Sequence, residues 1–205
     1  MTAESKAPSG GHGDPDAGPL SDAAVIRISL DDPERFEALF GRHAPRIQRY
    51  VVRRLGLDAA DDIVAETFLL AFRQRAAYDQ SRDDALPWLY GIATHLIGRH
   101  HRAETRLYRA LARTGTDPVT APFTDRSDDL VTAGAASLRL AAALAALPAA
   151  YRDTLLLIAW GDLSYEETAD ALGIPTGTVR SRVSRARATL RHELGDLNPA
   201  NSEEI

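Results

Sequence analysis

The chain has 205 residues, 44% of them hydrophobic, and a formal net charge of −5, which is enough apolar material for one domain or two small ones. It has no cysteine, which excludes disulfides and thiolate metal sites and points to a reducing cytoplasm. No basic stretch followed by an apolar one opens it, and the longest apolar run, residues 140–151, is too short for a bilayer, so neither a signal peptide nor a membrane span is expected.

Residues 1–30 are rich in Gly, Pro, Ser and Asp ("APSGGHGDPDAGP") and read as a disordered tail. From Pro33 the pattern turns helical. Phe36, Leu39 and Phe40 are followed by Ile47, Tyr50, Val51 and Leu55 at helical spacing, with Pro45 expected to kink or restart the helix and Gly56 to close it. Asp58 is a suitable N-cap for the next helix, whose stripe is Ile63, Val64, Phe68, Leu69 and Phe72. A polar stretch, "AAYDQSRDD", precedes a helix from about Leu86 to Leu111 with Pro87 in its first turn. In "PWLYGIA", Trp88, Leu89 and Ile92 share helical spacing, so Trp88 reads as core.

Residues 114–129 ("TGTDPVTAPFTDRSDD") have the Gly, Pro, Thr and Asp content of a linker. Beyond it, Leu138, Leu144 and Leu147, then Leu155, Leu156, Ile158 and Trp160, mark two helices separated by Pro148. Apolar residues recur mainly at three and four rather than at two. The expected fold is all-α: a first unit over residues 31–113, a tether over 114–136, a second unit over 137–195 and a tail over 196–205.

Ser164 and Glu167 form a capping box that starts a short helix ending near Leu172. Gly173 supplies a turn, Ile174 plugs the corner, Pro175 forbids continuation and Thr176 caps a second helix. This is a helix-turn-helix, whose second helix enters the major groove. Val179, Val183, Ala186 and Leu190 form its buried stripe. Opposite lie Thr178, Ser181, Ser184, Arg185 and Ala188, with Arg180 and Arg191 at one margin, and Arg182 and Arg187 nearer the core boundary. Small hydroxyl residues permit close approach, Arg185 suits a guanine edge, and the flanking arginines suit phosphates.

Charge is segregated along the chain. Residues 57–67 carry Asp58, Asp61, Asp62 and Glu66 with no base, whereas residues 176–192 carry five Arg and no acid. Residues 88–113 carry five Arg and three His against Glu104 alone. One polyanion held at two places, with an acidic surface kept for another partner, fits this division. His95, His100 and His101 lack the i,i+4 spacing of a helical metal pair, so no metal and no cofactor is expected.

The stretch "LPAAYRDTLLLIAWGDLSYEETADALGIPTGTVRSRVSRARATLRHEL" resembles the C-terminal promoter-binding domain of bacterial RNA polymerase sigma factors of the extracytoplasmic-function (ECF) group. "FEALFGRHAPRIQRYVVRRLG", "DAADDIVAETFLLAFRQ" and "LPWLYGIATHLIGRHHR" resemble region 2 of the same family, in the same order. The resemblance covers about residues 34–112 and 137–194. It implies a dissociable, non-enzymatic specificity subunit of core RNA polymerase that works in the cytoplasm on promoter DNA.

By that resemblance, Asp61, Asp62, Glu66 and Thr67 dock on the coiled-coil of the polymerase β′ subunit, with Phe68 and Leu69 as core. The loop Tyr78 to Asp84 captures a flipped base of the −10 element through Tyr78, Gln80, Ser81 and Arg82, with Gln80 foremost. Arg99, His100 and Arg102 supply the next helix's contacts to the same DNA. Thr176, Thr178, Arg180, Ser181, Arg182, Ser184, Arg185 and Arg187 take the −35 element. The β flap of the polymerase and an anti-sigma factor are further partners the resemblance brings in. Two other readings compete: a stand-alone helix-turn-helix repressor or activator, for which no dimerisation face is visible, and a metal-dependent hydrolase, for which no ligand set is.

Overall fold

The computed structural model describes residues 20–113 and 131–194, with side chains over 20–102 and 139–194. Among them every regular element is helical. The first unit comprises α1 (Asp22–Ile28), α2 (Glu37–Leu55), α3 (Ala60–Gln74) and α4 (Leu86–Arg113), with short 3-10 turns at Pro33–Phe36 and Arg75–Ala77.

Helix α1 corrects the expectation of a disordered tail through residue 30. Ser21 caps it, its hydroxyl accepting from the Ala24 N–H at 3.3 Å, and Ala23, Val25 and Ile26 are buried. Asp22 fastens it to the rest of the unit: Oδ1 accepts from Arg42 at 2.8 Å, and Oδ2 from His43 at 2.6 Å and from the Ala85 N–H at 3.0 Å. Burial alone would raise the Asp22 pKa, but these bonds, led by that from His43, hold it down to about 2. Seven residues are too few to display a helical period, and the Gly- and Pro-rich stretch before Ser21 hides the start. Residues 1–19 lie outside the described residues.

Two local expectations also change. Helix α2 runs through Pro45 without interruption. The ring deprives the Gly41 carbonyl of its donor, but both residues are on the exposed side of the helix, where an unpaired carbonyl costs little. Helix α3 starts one turn residue later than expected, with Ala59 rather than Asp58 at its N-cap. The core between these helices holds Leu39, Ile47, Tyr50 and Val51 of α2, Ile63 and Phe68 of α3, and Leu89, Tyr90 and Leu96 of α4. Tyr50 and Tyr90 meet edge to face at 5.1 Å.

The second unit comprises α5 (Val131–Ala146), α6 (Ala149–Ala159), α7 (Tyr165–Leu172) and α8 (Thr176–Leu194). Helix α5 begins inside the expected tether, and residues 114–130 and 195–205 lie outside the described residues. Leu147, Leu155, Ala169, Val179, Val183 and Ala186 form its core. The units were expected as separate domains on a tether, yet they lie directly against each other. Leu156, Leu157 and Leu163 join the core of the first unit, and α4 packs on α7.

Candidate nucleic-acid interface

The helix-turn-helix forms as its residues dictate. Ser164 and Glu167 exchange both bonds of the capping box, at 3.1 and 2.7 Å. Gly173 takes the left-handed conformation (φ 62°), and the Ile174 N–H reaches back to the Ala169 carbonyl at 3.0 Å, closing α7. Helix α8 then starts with its first free N–H groups, those of Thr178 and Val179, on the Pro175 carbonyl, so Thr176 is its first residue rather than its cap.

Val179, Val183 and Ala186 are buried and Leu190 partly so, which turns the opposite face outward. Ser181, Ser184, Arg185, Arg180 and Arg187 are exposed, while Thr176, Thr178 and Arg182 are half-buried. Of the two arginines placed at the core boundary, Arg182 is there and Arg187 is fully outside. Ser181 donates to the Thr178 carbonyl at 2.9 Å, and Arg185 leans across to the Tyr151 hydroxyl of α6 at 3.1 Å. Arg180, Arg187 and Arg191 converge with Tyr165 and Ser184 around a cleft of about 280 Å³. Tyr165 and Arg191 were absent from the expected DNA set. Arg191 was legible as a margin residue, whereas Tyr165, one helix earlier, reaches the cleft only through tertiary packing.

The 78–84 loop is held from within. The Tyr78 hydroxyl donates to the Arg82 and Asp84 carbonyls at 2.7 and 3.1 Å, and its ring packs on Trp88 at 5.0 Å. Tyr78 is 7% exposed, and burial pushes its hydroxyl well above the usual tyrosine range. Its expected place as a stacking platform is therefore corrected: it is the loop's internal brace. Outside, Asp79 accepts from the Ser81 hydroxyl at 2.7 Å and N–H at 3.1 Å and from Arg82 at 3.2 Å, and these bonds, led by the Ser81 hydroxyl, lower its pKa. Gln80 stands exposed at the tip between them. Arg82 also pairs with Asp170 of α7. Beyond the loop, Arg99 and Arg102 are exposed and His100 is half-buried.

On α3, Asp61 and Asp62 are exposed in the first turn, and Gln48 of α2 donates to Asp61 at 3.1 Å. Glu66 is half-exposed and 3.5 Å from Arg99, so two residues expected to serve different partners meet here. Thr67 does not belong to this surface: it is fully buried, its hydroxyl spent on the Ile63 carbonyl at 2.7 Å. Leu69, expected in the core, is 47% exposed beside the acids. Phe40 is 48% exposed, its ring edge-on to Phe68 at 4.9 Å. The acidic face is thus an acidic and apolar one. Asp22, His43 and Asp84 bring three ligand-type atoms within 4.8 Å, but both Asp22 oxygens already serve Arg42, His43 and Ala85, and the group anchors α1.

Comparison with known proteins identifies the family of each unit. Residues 39–107 match the family model for sigma-70 region 2, and residues 137–190 that for sigma-70 region 4. RNA polymerase sigma factor CarQ of Myxococcus xanthus is 34% identical over 169 residues, which cover 80% of this chain and 91% of CarQ. ECF RNA polymerase sigma factor SigW of Bacillus subtilis is 30% identical, covering 84% of this chain and 96% of SigW. SigC of Mycobacterium tuberculosis is 32% identical, with 87% and 94% covered. The fold is that of CnrH, solved with the cytosolic domain of CnrY (TM-score 0.57, 24% identity, 84% of this chain and 96% of that one covered). It is also that of RpoE from Bartonella quintana, solved with the anti-sigma factor NepR (TM-score 0.51, 24% identity, 78% and 96% covered). Two sigma regions in the family's order, and relatives spanned almost end to end, place this chain among the ECF RNA polymerase sigma factors.

Proposed function

We propose a division of labour for this sigma factor, which directs promoter-specific initiation, in which each surface described above takes one partner. Asp61, Asp62 and Glu66, with Phe40 and Leu69 between them, dock on the β′ coiled-coil of core polymerase. Acid beside exposed apolar surface suits a partner offering arginines and aliphatic side chains, and repels DNA. Gln80, at the tip of a loop braced by Tyr78 and Asp79, receives the flipped −10 base, with Ser81 and Arg82 beside it. Unstacking a base costs a few kcal/mol, and a preformed pocket returns more of that than a loop that must order on contact. Arg99, His100 and Arg102 carry the adjoining DNA.

The −35 element goes to α8, with Thr178, Ser181, Ser184 and Arg185 toward base edges and Arg180, Arg187 and Arg191 around one backbone phosphate. The observation that carries this reading is that α8 buries its apolar stripe and leaves a face of small hydroxyls flanked by arginines, beside an arginine-lined cleft. Nucleotide addition belongs to the polymerase in this scheme, and no catalytic residue is assigned to the chain. The β flap, as second contact of the C-terminal unit, and an anti-sigma factor are the finer partners of the proposal. Its place is the cytoplasm, and among the described residues no helix is long and apolar enough to cross a membrane.

The test is reconstitution from purified core polymerase, this chain and a library of promoter fragments, with no other sigma factor present. Specific transcripts support the reading. Specific DNA binding without transcripts supports a stand-alone regulator instead.

A further inference from the structure

The two flanks of helix α8 are built differently. Arg180, Ser184, Arg187 and Arg191 recur along one side, on the cleft shared with Tyr165 of α7. Ser181 and Ala188, both exposed, lie between the flanks, and Arg185 stands on the other side, toward α6. There its Nη1 donates to the Tyr151 hydroxyl at 3.1 Å, and among the described residues no other hydrogen bond or ion pair holds it. Tyr151 belongs to the first turn of α6, where its N–H closes on the Pro148 carbonyl at 2.9 Å. Its ring is half-buried against the core of the second unit, and its hydroxyl reaches the rim. The functional assignments above give Tyr151 no part.

The nature of the acceptor matters as much as the bond. Arginines elsewhere on the exposed surface are held by carboxylates, Arg82 by Asp79 and Asp170, and Arg99 by Glu66. A carboxylate cancels the charge of its arginine and meets DNA as a like charge. A phenol holds the guanidinium in place and leaves its charge whole. A guanidinium has five N–H donors, and the bond from Nη1 takes one of them. The edge formed by Nε and Nη2 stays free, and two parallel donors are what O6 and N7 of a guanine accept in the major groove. One end of the side chain is thus fixed to the body of the protein, and the other is left for a base.

Resting on the promoter reading above, we propose that Tyr151 is a positioning residue for the upstream element: its hydroxyl holds Arg185 in the conformation that reads a base, and so sets how sharply the chain discriminates there. A loose arginine on the same helix gives up its rotamer freedom on binding, and it reaches neighbouring bases or phosphates as readily as the intended one. The effect of Tyr151 falls on discrimination rather than on attachment to DNA. Arg180, Arg187 and Arg191, on the far flank, hold the backbone without it.

The experiment uses the full chain with core polymerase and a promoter library, comparing wild type, Tyr151→Phe, Arg185→Ala and the double variant. Phenylalanine keeps the packing of the ring and removes only the hydroxyl, so thermal unfolding and polymerase affinity stay as in wild type. Ordering one long side chain on binding costs a factor of about two to ten in affinity. Tyr151→Phe therefore loses about two- to tenfold preference at the upstream positions where Arg185→Ala loses its own, and nothing further in the Arg185→Ala background. Nuclear magnetic relaxation of the Arg185 Nε–H in the free chain reads the hold itself, ordered in wild type and mobile in Tyr151→Phe. Equal mobility in the two, wild-type preference in Tyr151→Phe, or an undiminished loss in the Arg185→Ala background would each overturn the proposal. Wild-type preference in Arg185→Ala would instead sink the base assignment of the promoter reading, and the relaxation result would still decide whether Tyr151 holds the arginine.

Discussion

Single side chains here are read best by asking where each polar atom is spent. Tyr78 looks like a stacking residue in the sequence, but both bonds of its hydroxyl close the base of its own loop. Tyr78→Phe leaves the packing on Trp88 and removes those bonds, so stability falls by about 1 kcal/mol and −10 opening falls more than DNA binding, as permanganate footprinting on the holoenzyme would show. Thr168 is the opposite case: it is fully buried, and its hydroxyl has no hydrogen-bond partner among the described residues. Replacing it with the isosteric valine removes an unpaid desolvation, and Thr168→Val should raise stability by about 1 kcal/mol in thermal unfolding, with DNA binding unchanged. Leu69 is apolar, large and half outside, on the acidic face of α3. Leu69→Asp leaves the fold intact by circular dichroism and lowers core polymerase affinity tenfold or more.

At the scale of elements, α1 rests on Asp22, and its linkage to pH has a definite sign. The folded-state pKa of about 2 lies below the ordinary value of 3.8. The stabilisation is therefore fully present above about pH 4 and is lost as pH falls through about 2. It is of the order of 2 kcal/mol, and Asp22→Asn removes it, flattening the pH dependence of unfolding in that window. The long helices were legible beforehand, because each repeats its apolar stripe over three or more turns, as α2 and α4 do. The helix-turn-helix was legible residue by residue, since Ser164, Glu167, Gly173 and Pro175 each have a local reason to stand where they do. What was not legible came from outside the element concerned. Helix α1 owes its existence to Arg42, His43 and the Ala85 N–H, which lie 20 or more residues away. Thr67 and Leu69 sit two positions apart on α3 with exposures reversed from expectation, because which flank of the stripe is covered depends on where α2 and α4 pack, not on the period.

For the whole molecule, the opposition between an acidic chain and a basic helix is resolved by placement. Acid and exposed apolar surface lie together on α2 and α3, and arginine collects on α8, so one chain carries two surfaces of different chemistry, which the proposed function gives to polymerase and to DNA. The central claim is that the upstream and downstream promoter elements are read by different units, with Arg185 among the base readers of the upstream one. Library-based initiation with core polymerase and either wild type or Arg185→Ala tests it most directly. A bidentate arginine–base contact is worth about 1–3 kcal/mol of discrimination, so the variant should initiate less and lose roughly ten- to hundredfold preference at one or two upstream positions. Its downstream preference and its affinity for core polymerase should be unchanged. Equal loss of preference at both elements, or loss of polymerase binding, would contradict the account.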